Sequence, residues 1–274
     1  MQEHGLYAKK HFGQNFLTDA HVLSKIVDAA KLDKNDLVLE IGPGLGVLTS
    51  EMAKLAGAVC AIEIDKELVQ ILNHTVAASY KNVSIHNEDI LKADVKKIIA
   101  GTNYTSLKVV ANLPYYITTP VIFGLFEQGL PIASMTVMVQ KEVADRMLAA
   151  PSTKSYGLLT LSIAYYGKAS LVANVPPNCF FPRPDVHSAV VKIDVNPRDY
   201  ANRDIFFQII KAAFANRRKT LQNCLAAWDG LDMTKETAAK VIAHAGLPES
   251  IRGEALDFND FLRLTAAYIE VAKC

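Results

Sequence analysis

Up to about residue 197 the chain reads as an α/β protein, and beyond that as helices alone. Three observations predict this. Short runs rich in Val, Ile and Leu recur at residues 37–41, 59–62, 83–86, 108–111 and 135–139, the length and composition of strands buried on both faces of a parallel sheet. Segments of helical periodicity separate them, around residues 20–30, 47–52, 65–78, 121–128 and 140–149, because parallel strands need crossover connections. After Asn196-Pro197-Arg198-Asp199 no strand pattern returns. Residues 1–197 are therefore expected to form one domain and residues 198–274 a small helical one. Before that boundary come an apolar stretch at 152–167, read as a helix, and two late strands, 170–175 and 188–195, the last predicted antiparallel in a sheet of seven.

Composition excludes several classes of function. Half of the 274 residues are apolar, enough for a full core, and a formal net charge of +1 gives no global field for a polyanion. The four cysteines, Cys60, Cys179, Cys224 and Cys274, stand apart from one another at no ligand spacing, so neither a metal site nor a disulfide framework is expected. The first residues have no apolar signal core and no segment is long and apolar enough for a bilayer. A cytoplasmic protein is expected.

Residues 8–17 put bases, aromatics, a glycine and two amides at a chain end, which suits an arm folding over a ligand as well as a frayed tail. The first strand runs into Gly42-Pro43-Gly44-Leu45-Gly46 and then a helix. Glycines let a ligand approach the backbone, and the helix start presents unpaired N–H groups. The next strand delivers Glu63 about 20 residues on, where a carboxylate meets ribose hydroxyls in nucleotide-binding βαβ units. Val47 occupies the third small position of the dinucleotide fingerprint. The loop thus fits a nucleoside cofactor without phosphates, such as S-adenosylmethionine, better than a nicotinamide dinucleotide. Asp89 follows the third strand; it suits either a turn cap or the exocyclic amine of an adenine.

The fourth strand ends in Asn112-Leu113-Pro114-Tyr115. An exocyclic amine on a nucleobase is a poor nucleophile, because its lone pair is delocalised into the ring. Acceptors against its N–H bonds localise that pair, and Asn112 supplies one. Pro114 restrains Leu113, so a loop carbonyl can be a second, and Tyr115 offers a flat surface. A plain strand-to-helix turn with a buried tyrosine accounts for the same residues. Downstream, a loop with four prolines holds Phe180 and Phe181, either as core residues or as a platform for a flipped base. Asp204 is placed to cap a helix that carries Lys211, Arg217, Arg218 and Lys219, a solvated face or a phosphate-binding patch.

Taken together, the motifs resemble the bacterial rRNA adenine N6,N6-dimethyltransferases of the small ribosomal subunit. They are Phe12-Gly13-Gln14-Asn15-Phe16-Leu17, Glu40-Ile41-Gly42-Pro43-Gly44-Leu45-Gly46, Glu63-Ile64-Asp65, Asp89-Ile90-Leu91, Asn112-Leu113-Pro114-Tyr115, Phe180-x-Pro182-x-Pro184-x-Val186-x-Ser188, Arg217-Arg218-Lys219-Thr220-Leu221 and Arg252-Gly253-Glu254-Ala255-Leu256. The resemblance implies a Rossmann-like class I methyltransferase sheet followed by a small helical rRNA-binding domain. It implies S-adenosylmethionine held by Asn15, Leu17, Gly42, Gly44, Glu63, Asp89 and Asn112, with no metal. Catalysis falls to Asn112, Leu113, Pro114 and Tyr115, with Phe180 as the partner that sandwiches the target adenine. Asp185 stands where the family has a basic residue, so no phosphate contact is expected from that loop.

The implied reaction is dimethylation of N6 on two adjacent adenosines in the 3′-terminal hairpin of 16S rRNA, in the immature 30S subunit, by a monomer. Positioning and lone-pair localisation suffice for it, without a general base. The alternatives are a large-subunit 23S rRNA methyltransferase conferring antibiotic resistance and an assembly factor whose binding role dominates.

Overall fold

The computed structural model describes residues 14–196 and 202–272. The arm before Gln14, with Phe12 and Gly13, and the predicted linker residues 197–199 lie outside the described residues. The strands are β1 (Phe16–Leu17), β2 (Asp36–Ile41), β3 (Ala58–Glu63), β4 (Val83–Asn87), β5 (Ser106–Asn112), β6 (Ile132–Gln140), β7 (Gly167–Val175), β8 (Phe180–Phe181) and β9 (Ser188–Val195). The helices are α1 (Ala20–Ala30), α2 (Val47–Leu55), α3 (Lys66–Leu72), α4 (Val95–Ile98), α5 (Thr118–Glu127), α6 (Lys141–Met147), α7 (Leu158–Tyr166), α8 (Arg203–Ala215), α9 (Leu221–Ala226), α10 (Lys235–His244) and α11 (Phe258–Ala272).

Seven strands form one sheet in the order β4-β3-β2-β5-β6-β9-β7. β4, β3, β2, β5 and β6 run parallel and β9 returns antiparallel to β6, as expected. The order reverses at β2, between β3 and β5, and open α/β sheets bind ligands at such a switch point. Register fixes what meets there. Ile41 pairs with Ile62 on one side and Ala111 on the other, so Gly42, Glu63 and Asn112 leave the sheet side by side. All six residues of β2 are buried, among them the carboxyls Asp36 and Glu40.

The chain clusters into two compact units, residues 1–144 with 169–196, and residues 145–168 with 197–274. The expected boundary at 197 therefore needs correction for residues 145–168. The cause is packing. Tyr156, Leu161 and Tyr165 join Phe206, Ile209 and Phe261 in one core cluster, and the Tyr156 hydroxyl donates to the Leu256 carbonyl at 2.6 Å. Asp204 is not the cap of α8. Asn202 holds that position and Asp204 stands in the first turn, where its charge favours the helix N-terminus.

A two-stranded antiparallel sheet, β1 with β8, has no counterpart in the sequence reading. Two residues per strand are too few for periodicity to register.

Candidate active site

A cavity of about 580 Å³ opens at the switch point, within the usual range for small-molecule sites. Its floor is the carboxyl end of β2 with Gly42 and Gly44; its sides carry Glu63, Glu88 and Asp89, and then Asn112 to Ile117. Residues 14–18 and Phe181 also line it. Val47, Ile64, Leu91, Tyr116 and Phe181 line it as well and are among the exposed large hydrophobic side chains of the chain. An apolar rim of that kind marks a ligand site.

Residues 14–18 run along this cavity as a strap. Gln14 donates from Nε2 to Asp65 Oδ2 at 3.3 Å, just past β3. The Asn15 carbonyl accepts from Asn112 Nδ2 at 3.0 Å, at the end of β5. Phe16 and Leu17 pair with Phe181 and Phe180, and Thr18 donates its N–H and its hydroxyl to the Cys179 carbonyl at 2.8 and 3.0 Å. Phe16 explains Gly44: φ there is +59°, and a Cβ would stand 3.0 Å from the Phe16 ring.

The polar groups divide by what holds them. Glu63, 5 % exposed, accepts from the Asp65 N–H at 2.9 Å and the Gly44 N–H at 3.4 Å. Burial nevertheless pushes its carboxyl above the usual range. Asn87, unnoticed in the sequence, donates to the Glu63 carbonyl at 2.9 Å and fixes that strand end. Asp89 closes a turn, its Oδ1 accepting from the Leu91 N–H at 3.0 Å, and the residue lines the cavity.

At the Asn112 loop, Leu113 is buried and its N–H donates to the Met138 carbonyl at 3.2 Å. The Pro114 carbonyl accepts from the Ile117 N–H and the Thr118 hydroxyl. The Tyr115 hydroxyl shares a 2.6 Å hydrogen bond with Ser188 Oγ, and burial raises its pKa. Ser188 is fully buried on β9, so the last residue of the proline-loop motif anchors the last residue of the Asn112 motif. The motif itself was the signal, but spacing does not reveal which residue Ser188 serves.

Two expected site residues move. Phe180 is 5 % exposed and packs in the core cluster with Val22, Ile26 and Met138, whereas Phe181 is 57 % exposed and lines the cavity. Side chains alternate across a strand, so β8 can present only one of the two, and it presents Phe181. Arg217 also leaves the basic patch. Its guanidinium donates to Glu254 Oε2 at 3.0 and 2.8 Å, to the Lys154 carbonyl at 2.7 Å and to the Thr153 carbonyl at 3.0 Å. Lys211, Arg218 and Lys219 are exposed. The motif Arg252-Gly253-Glu254 thereby gains a structural reason: Glu254 holds Arg217, and a Cβ on Gly253 would meet Ala213 at 2.8 Å.

Residues 5–258 match the model of the ribosomal RNA adenine dimethylase family. The chain belongs to that family. It is 50 % identical over 260 residues to the ribosomal RNA small subunit methyltransferase A of Lachnoclostridium phytofermentans, covering 93 % of this chain and 90 % of that one. The protein of the same name from Streptococcus gordonii is 46 % identical over 273 residues, 97 % of this chain and 94 % of its own. Among solved structures, a dimethyladenosine transferase from Plasmodium falciparum superposes with a TM-score of 0.82 at 28 % identity, covering 94 % of this chain and 98 % of that one. The 23S rRNA methyltransferase ErmE shares the fold, with a TM-score of 0.71 at 24 % identity over 93 % of this chain and all of that one. As a member of the dimethylase family the chain is an S-adenosylmethionine-dependent methyltransferase acting on ribosomal RNA. The cavity suits that cofactor: glycine backbone on the floor, the Glu63 carboxyl at the side, an apolar rim, and carboxyls but no cationic side chain among the described lining residues.

Proposed function

We propose that the chain dimethylates N6 of two adjacent adenosines in the 3′-terminal hairpin of 16S rRNA, within the immature 30S subunit, as a cytoplasmic monomer. Family membership gives rRNA adenine dimethylation. The small-subunit target is supported by relatives 43–50 % identical that are named for that subunit. Among the described residues no helix is long and apolar enough to cross a membrane, in keeping with the proposed compartment.

The observation that carries the catalytic reading is the Asn112 amide. Its Nδ2 is taken by the Asn15 carbonyl, which turns Oδ1 away from the strap as an acceptor for an incoming amine. The Pro114 carbonyl is engaged in its own turn, so the Leu113 carbonyl is the second acceptor. Tyr115, held by Ser188, and the exposed Phe181 stack the adenine; Phe181 takes the place expected of Phe180. S-adenosylmethionine, when bound, supplies a methyl group activated on a sulfonium. Asn15, Leu17, Gly42, Gly44, Glu63 and Asp89 hold it, and Lys211, Arg218 and Lys219 contact rRNA phosphates.

Incubation with labelled S-adenosylmethionine and, separately, undermethylated 30S subunits, 50S subunits and naked rRNA, followed by nucleoside analysis, tests the substrate. Dimethyladenosine in the 30S sample alone is expected. Label in 50S RNA transfers the assignment to the large subunit, and tight 30S binding without label leaves an assembly factor. For the site, Asn112→Ala is expected to lower kcat about 10²- to 10³-fold, as loss of a preorganised polar group does, with cofactor affinity nearly unchanged. Glu63→Ala should reverse that pattern, and equal losses of both functions in both variants would sink the division of labour.

A further inference from the structure

Gln14 has no part in the account above, yet it stands between the cofactor side of the cavity and the acceptor side. Its Nε2 reaches Asp65 just past β3, and the carbonyl of the next residue, Asn15, takes Asn112 Nδ2 at the end of β5. Asp65 is in turn tied to Glu63, because its N–H donates to Glu63 Oε1 at 2.9 Å. One line of hydrogen bonds, joined by the Gln14–Asn15 peptide, thus runs from Glu63 through Asp65 to Asn112.

Both ends of the strap around Asn15 are held. Asp65 is 4 % exposed, and a carboxylate so shielded from water needs donors. Its Oδ1 accepts from the Glu67 N–H at 3.0 Å and caps α3, and its Oδ2 accepts from Gln14. A donor aimed at an ionised group is held more strongly than one aimed at a neutral group. After Asn15, the pairing of β1 with β8 and the two bonds from Thr18 to the Cys179 carbonyl fix the chain. The Asn15 carbonyl between these anchors therefore has a set direction.

That direction decides how Asn112 is used. An Asn side chain carries an acceptor at Oδ1 and donors at Nδ2, and half a turn about its last bond exchanges them. A backbone carbonyl can only accept, so the Asn15 oxygen admits Nδ2 and repels Oδ1. Oδ1 is then the end left for an incoming amine. After half a turn the Asn112 NH2 would meet the N–H bonds of the adenine amine, donor against donor, and the amine lone pair would stay delocalised in the ring.

We infer that Gln14 is a positioning residue: anchored on Asp65, it holds the Asn15 carbonyl against Asn112 and so fixes which end of the Asn112 amide meets the target amine. The inference rests on Asn112 as the acceptor and is independent of the choice of rRNA.

Reversing the hydrogen bond tests it. Gln14→Glu keeps the length but sets a second carboxylate against Asp65; adding Asp65→Asn turns the acceptor into a donor while the remaining side-chain oxygen still caps α3. In single-turnover methylation of 30S subunits, with enzyme and S-adenosylmethionine saturating, Gln14→Glu should be slower by about 10-fold. That exceeds the roughly twofold loss from an amide free between two orientations, and falls short of the about 10²- to 10³-fold loss of a preorganised group. The double variant should recover most of the rate, and calorimetric affinity for S-adenosylmethionine should change less than the rate throughout. In NMR spectra of the free protein, the Asn112 side-chain amide, assigned by its absence from Asn112→Ala, should shift or broaden in Gln14→Glu and return in the double variant. An unchanged rate, a double variant that recovers nothing, or an Asn112 signal that stands still overturns the inference. So does a loss confined to cofactor affinity, which would make Gln14 part of a cofactor lid only. Should Gln14→Glu fail to fold, Gln14→Ala removes the donor without adding charge and must slow the same step and move the same signal. If Asn112→Ala keeps the wild-type rate, the acceptor reading has failed; the NMR signal, recorded without RNA, still decides whether Gln14 sets the amide.

Discussion

Strand β2 buries a carboxyl at each end, and the two are treated in opposite ways. At the amino end, Asp36 meets Lys108 Nζ at 2.8 Å and also accepts from the Asp33 N–H at 2.7 Å, while the same Lys108 donates to the Lys31 carbonyl at 2.6 Å. At the carboxyl end, Glu40 has the uncharged Thr49 hydroxyl and a second carboxyl, Glu63, beside it, and burial pushes its own carboxyl up to about 8. A buried charge with its counter-charge beside it is architecture: it ties β2 to β5 and to the turn after α1. The same residue class four positions apart on one strand is therefore paired with a cation at one end and set beside a second carboxyl at the other.

Substitution should make the difference visible in sign. Asp36→Asn leaves the Lys108 ammonium without its counter-charge and is expected to cost about 3–5 kcal/mol, read by urea denaturation. Glu40→Gln is nearly isosteric and removes a group that the fold must keep neutral. At pH 7 it should stabilise the ligand-free protein by up to roughly 3 kcal/mol. The pH dependence follows. Because folding raises the Glu40 pKa from 4.5 to about 8, its contribution is complete below about pH 4.5 and is lost as pH climbs through 8. The wild type should thus lose stability relative to Glu40→Gln across that window. A Glu40→Gln protein less stable than wild type at pH 8 would erase the distinction between the two ends.

The β8 pair offers the same test one level down. Phe180→Ala opens the core beside Val22 and Ile26 and should cost about 3 kcal/mol of stability. Phe181→Ala should leave the melting temperature nearly unchanged and raise KM for the 30S subunit with little effect on cofactor affinity, at the roughly 1–3 kcal/mol of a lost base stack. The reverse outcome returns the stacking role to Phe180.

Sequence carried the sheet because its evidence is local and repeated: five apolar runs, each ended by a glycine, an acid or an amide, leave few topologies open. It carried Glu63 and Asn112 because each is the first polar residue after such a run. It could not choose between Phe180 and Phe181, since that depends on which face of a two-residue strand meets the sheet. Nor could it see that Ser188 holds Tyr115 across 73 residues, or that Glu40, inside the apolar run Leu37-Val38-Leu39-Glu40-Ile41, lies beside Thr49 and Glu63. A carboxylate within a buried strand was visible; whether Lys108 reached it or missed it was not. Residues 145–168 were misassigned for the same reason, because the partners of Tyr156 and Tyr165 lie 40 to 100 positions away.

The smallest effects separate the two adjacent arginines. Arg217 donates to Glu254 and to two carbonyls of the 153–154 turn, so Arg217→Ala should lower stability by about 1–2 kcal/mol. Arg218 is exposed, and its charge is available to a polyanion. Arg218→Ala should leave stability unchanged within about 0.5 kcal/mol and lower the salt dependence of 30S binding by about one phosphate contact. Lys219→Ala should act the same way, and the double variant should lose about two. Titrating 30S affinity against salt concentration distinguishes the outcomes: a slope reduced by Arg217→Ala but not by Arg218→Ala would mean that the guanidinium with partners still reaches RNA. The rule drawn from β2, that a satisfied charge belongs to the fold, would then fail on the helical unit.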